Sequence, residues 1–67
     1  MSVARVTEIS STSKVSFDDA VKQGIERAAE TLRGIQGAWV KEHKVKVINN
    51  KVSEYRVNML VTFVLEE

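Results

Sequence analysis

From Glu54 to Glu66 the chain alternates apolar and polar residues almost without a break. Tyr55, Val57, Met59, Val61, Phe63 and Leu65 fall on one side, and Glu54, Arg56, Asn58, Thr62 and Glu66 on the other. Side chains switch faces at every strand residue, so the pattern specifies a long strand with one face buried. Such a strand runs to roughly 40 Å or more at about 3.4 Å per residue. The one helix available to cover it has about 17 residues and spans only about 25 Å. Part of the apolar face is therefore expected to be buried by other copies of the chain.

Size leads to the same expectation. The 67 residues are read as a single domain, 1–67, and a domain this small buries only about 60% of the surface its unfolded chain exposes. Disulfides, a structural metal or oligomerisation usually make up the difference. There are no cysteines and only one histidine, which excludes disulfides and thiolate zinc sites and leaves His43 unable to build a histidine site within one subunit. Oligomerisation remains. A net charge of +1 argues against a dedicated nucleic-acid or membrane-surface protein. No apolar run reaches the length of a signal peptide core or a membrane span, so the cytoplasm is the default expectation.

Val3 to Ile9 is rich in β-branched residues and reads as a first strand, although Val3, Thr7 and Ile9 share their face with Arg5. Ser10 to Ser16 reads as a polar turn. Ser16 is then a helix N-cap, followed by Asp18 and Asp19 at the positive end of the helix dipole. Phe17, Ala20, Val21, Gly24, Ile25, Ala28, Ala29 and Leu32 recur at helical spacing, and Gly34 is a natural C′ residue. Small residues in that stripe suit close packing on a sheet. Ala38 to Ile48 reads as a second strand, Asn49-Asn50 as a tight turn, and the alternating segment as the third.

The geometry of these connections gives an α+β fold, β-α-β-β. If the third strand lies between the other two, the sheet is wholly antiparallel in order 2-3-1, and the strand with the cleanest apolar face is central. The second strand has two mixed faces: Trp39, Val45 and Val47 alternate in phase with Lys41 and His43, and Val40 and Ile48 with Glu42, Lys44 and Lys46. Mixed faces mark it as the candidate functional surface.

These residues, taken in order, resemble the dodecins, small flavin-binding proteins that assemble as hollow homo-dodecamers. The likeness runs without a gap from about Val3 to Glu67. It rests on EISSTS (with Ser11 where the family usually has glycine), on RAAETLRGI in the helix, and on EYRVNMLVTFVLEE at the end. The resemblance implies a dodecamer with helices outward, binding riboflavin or FMN in pairs near subunit junctions for storage or protection rather than catalysis. It also implies a stacking tryptophan at the start of the second strand and a glutamine early in the third, just after a tyrosine. Those positions hold Gly37 and Arg56 here. Trp39, two residues on, is on the same strand face as Gly37 and is a candidate replacement. The resemblance also includes some relatives that lack the tryptophan and form the same shell without flavin, a branch with which calcium is associated.

Each candidate has a plainer reading beside it. Trp39 is either a ring platform or an interface residue filling a gap between subunits. Arg56 either contacts a flavin or a phosphate, or pairs with Glu54 or Glu42. Lys41, Lys44, Lys46 and Lys51 are interspersed with Glu42 and Glu54 and read as a solvated face. His43 reads as a surface or interface residue, and Glu66 and Glu67 as a solubilising end. A cation such as calcium held on a symmetry axis of the shell is the remaining metal option. No base–nucleophile pair or phosphate loop suggests an enzyme.

Overall fold

Asn49 and Asn50 both adopt positive φ, 54° and 62°, and turn the chain between residues that pair directly, Ile48 and Lys51. A two-residue turn of this kind matches the twist of the strands it joins. It is the tip of a long hairpin in a computed structural model that describes residues 3–65. The elements are β1 (Val3–Ser13), α1 (Phe17–Ala28), β2 (Ile35–Ile48) and β3 (Lys51–Leu65). The sheet order is β1-β3-β2, with both pairings antiparallel. The expected topology holds, with the alternating strand in the centre.

The helix lies on the odd-numbered face of β3. Val57, Met59 and Val61 are fully buried there, together with Ala20 and flanked by Ile9, Phe17, Val21 and Ile25. Small residues set the helix–sheet distance. A Cβ on Gly24 would stand 2.6 Å from Met59 Cε and 2.9 Å from Ser11 Cβ, closer than non-bonded carbons approach. The helix begins as its sequence specifies: Asp19 N–H donates to Ser16 Oγ at 3.0 Å. Beneath that cap lies a second device. Ser13 Oγ donates to Asp19 Oδ2 at 2.6 Å and accepts the amides of Val15, at 2.9 Å, and Ser16, at 3.4 Å.

Four expectations need correction. The serine-rich segment does not turn at Ser10. It continues β1 to Ser13, because Ser10, Ser11, Thr12 and Ser13 all pair with β3 and the small side chain of Ser11 admits the helix. The helix has 12 residues rather than about 17. The amides of Glu30 and Thr31 bond three residues back, to Arg27 and Ala28, and this tightened turn carries the chain off the helix axis. Gly34 is left-handed at φ 73° but leads into β2 instead of capping α1. Its carbonyl accepts from Val64 N–H at 3.0 Å, so β2 starts at Ile35, not at Ala38. The fourth correction concerns the faces of β2. A bulge at Lys41 separates the pairs Val40–Met59 and Glu42–Asn58, and an extra residue moves every later side chain to the other face. Trp39 therefore shares its face with Glu42 and Lys44, while His43 and Val45 lie on the helix side.

The cover is too short for the sheet. A 12-residue helix spans about 18 Å, whereas the molecule is 51 Å long. Val45, Val47, Ile48 and Val52, around the hairpin tip, remain about half exposed. The chain presents 5115 Å² to solvent, while a compact monomer of 7.5 kDa presents about 4200 Å². That excess of about 900 Å² is close to the roughly 800 Å² one partner contributes to a stable protein interface.

Candidate functional site

The face opposite the helix is uncovered and carries all three candidate residues. Gly37 pairs with Thr62, Trp39 with Leu60, and Lys44 with Arg56, and these even-numbered β3 residues point away from the buried set. Around Trp39 the floor is Leu60, Thr62 and Val64, all partly exposed. The indole is 52% exposed, which a core tryptophan would not be. At Gly37 no atom lies within 4 Å of where a Cβ would stand, so the glycine leaves open space in front of the strand. Gly37 and Trp39 together make a shallow shelf with one aromatic wall.

Arg56 does not join that shelf. It lies four positions along β3 from Leu60, about 14 Å away. Gly37, Trp39 and Arg56 lie on one surface of the sheet, but the structure does not bring all three together within one chain. The ion pairs considered for Arg56 do not form. Glu42 Oε1 instead accepts from Asn58 Nδ2 at 2.9 Å, and among the described residues the ion pairs are Lys41–Glu8 and Arg27–Glu30, both at 3.6 Å. The Lys41–Glu8 pair spans the central strand beside Trp39. Lys41 stands on the face of Trp39, as strand alternation places it, and the bulge brings Glu42 onto that same face.

His43 is exposed, as expected of a surface or interface residue, but its face is not the expected one. It lies on the helix side, stacked on Phe17 with ring centroids 4.5 Å apart, and Phe17 meets Tyr55 edge-on at 5.1 Å. This cluster closes the helix N-terminal end of the core. The only signal for it in the sequence was the aromatic pair Phe17 and Tyr55 on the two buried faces. Among the described residues no three His, Asp or Glu side chains gather as a cation site, and no helix is long and apolar enough to cross a membrane. Glu66 and Glu67 lie outside the described residues.

Comparison with known proteins adds the following. A family model described as Dodecin matches residues 3–66. Among solved structures, the chain is similar to a dodecin from Streptomyces davaonensis at 33% identity, covering 98% of this chain and 97% of that one, with a TM-score of 0.95. A mutant of the Thermus thermophilus dodecin also aligns at 33% identity, over 100% and 98% of the two chains, with a TM-score of 0.95. A protein from Mycobacterium tuberculosis, described as a calcium-chelating antigen and calcium dodecin, aligns at 29% identity over 96% and 91%, with a TM-score of 0.83. No curated protein matches the chain.

Proposed function

Since this chain belongs to the dodecin family, we propose that it forms a homo-dodecameric shell in the cytoplasm and sequesters a flavin, riboflavin or FMN, on the open face of its sheet. Dodecins are homo-oligomeric binding and storage proteins, so the role is retention of a small molecule rather than catalysis. The uncovered apolar residues at the hairpin tip support assembly. The observation that carries the ligand reading is Trp39, half exposed on the open face beside the space left at Gly37.

The shelf suits a flat aromatic group. A ring entering over Gly37 rests on the Leu60–Thr62 floor and meets the indole of Trp39, a contact that contributes about 1 kcal/mol beyond area burial. A bound flavin supplies the planar ring and two carbonyls. Arg56 can donate to those carbonyls but cannot accept from a ring N–H, because a guanidinium has no acceptor. With about 14 Å between them along the strand, Trp39 and Arg56 serve one ring only from different copies of the chain. A seam between subunits is therefore where the complete site belongs.

A second reading is the same shell without flavin, with a cation such as calcium on a symmetry axis. The specific observations favouring it are the glycine at the stacking position and the arginine at the amide position. Fluorescence separates the two. Quenching of riboflavin or FMN emission by micromolar protein, abolished or weakened in Trp39→Ala, supports the first reading. Unchanged emission with an intact assembly refutes it and supports the second.

A further inference from the structure

We infer that Gln36 reads the edge of a ring seated over Gly37, and so restricts the site to flat rings with an imide edge, an N–H flanked by two carbonyls. This deepens the flavin reading and rests on it. Gln36 is an extra residue of β2 between the pairs Ile35–Phe63 and Gly37–Thr62, as Lys41 is between Val40–Met59 and Glu42–Asn58. At Lys41 the extra residue and its successor both face away from the helix: Lys41 meets Glu8, and Glu42 meets Asn58. The same two-against-one count puts Gln36 and Gly37 together on the open face, with Trp39 two residues further on. Gln36 is exposed there.

The chemistry of the shelf calls for an amide at this place. Arg56 donates only, and an imide N–H left without an acceptor loses a hydrogen bond it made to water. The chain has five side-chain amides, Gln23, Gln36, Asn49, Asn50 and Asn58. Gln23 is on α1 and bonds Asp19, Asn58 holds Glu42, and Asn49 and Asn50 form the hairpin turn. Among the described residues no hydrogen bond engages the Gln36 side chain. Adjacent Cα atoms are about 3.8 Å apart, so an amide on a two-methylene stem reaches the rim of a ring lying in the open space at Gly37. Its carbonyl accepts from the imide N–H while its NH₂ donates to a neighbouring ring carbonyl, a paired contact that a ring without the imide cannot make.

The test titrates the intact assembly by fluorescence with riboflavin and with riboflavin methylated at the imide nitrogen, for the parent protein and for Gln36→Leu, which keeps the bulk and removes the amide. Gln36→Leu should bind riboflavin about tenfold more weakly, the amount such a pair of bonds supplies. Methylation should weaken binding to the parent by a similar factor and make no further difference in the variant. The position is exposed, so sedimentation and melting of the variant should match the parent, and affinity is read on folded protein. Riboflavin affinity retained in Gln36→Leu, or an equal loss for both ligands, overturns the inference and leaves the flavin reading standing. A parent protein that does not quench riboflavin at all overturns that reading and the inference with it.

Discussion

Replacing Gly24 by alanine sets two well-defined effects against each other. In an exposed helix the change would stabilise by about 1 kcal/mol, because alanine restricts the unfolded chain and favours helix. Here the new methyl group stands 2.6 Å from Met59 Cε and 2.9 Å from Ser11 Cβ. The methionine end can rotate, but Met59 is fully buried and has little free volume to enter. Ser11 Cβ is tied to the β1 backbone and retreats only if the strand moves. Overpacking of this kind costs about 1–3 kcal/mol. Packing should win, and Gly24→Ala should lose about 1 kcal/mol net. Urea denaturation at fixed protein concentration measures it, the concentration being held because subunit association contributes to apparent stability. A double-mutant cycle isolates the cause: in a Ser11→Gly background the cost of Gly24→Ala should fall by at least about 0.5 kcal/mol. A Gly24→Ala protein as stable as the parent, or more so, would refute the claim that close approach is why glycine stands there.

Other perturbations probe separate parts of the account. Trp39→Ala should weaken flavin binding roughly five- to tenfold in a fluorescence titration, the amount a stacking contact supplies, with the melting temperature nearly unchanged. Ser13→Ala should destabilise by about 1–2 kcal/mol in denaturant titration, since the hydroxyl serves two amides and a carboxylate at the entrance to the helix. Asn50→Val should cost about 1–2 kcal/mol in the same assay, because a β-branched residue resists the positive φ that the hairpin turn requires. Gly34→Ala should also destabilise: its φ is 73°, and a Cβ there would meet Val64 O at 3.1 Å.

Period and punctuation made most of the fold legible. Tyr55 through Leu65 alternate because β3 is central and carries the helix on one face, and Ser16 with Asp18 and Asp19 marks a helix start in any context. The asparagine pair marked the hairpin because few other residues tolerate its dihedrals. What was not legible depended on tertiary pairing. Ser10 to Ser13 have turn-like composition, yet the ladder to β3 supplies their backbone partners and the approaching helix requires small side chains. Ala29 to Leu32 retain helical spacing, but the chain must leave the axis there to reach Gly34 and its bond to Val64. The bulge at Lys41 has no local signature, and missing it misassigned the faces of β2 beyond Lys41. Of the candidate site, alternation put Gly37 and Trp39 on one strand face; that Arg56 shares that face, and how far along the strand it stands, emerged only from the register.

The claim beneath all of this is that a 12-residue helix cannot seal this sheet, and that sister copies seal the remainder. Sedimentation velocity at low micromolar concentration tests it directly. A single species at about twelve times the chain mass, broken up by Val47→Lys at the hairpin tip, is the predicted result. A folded, cooperatively melting monomer at that concentration would contradict it.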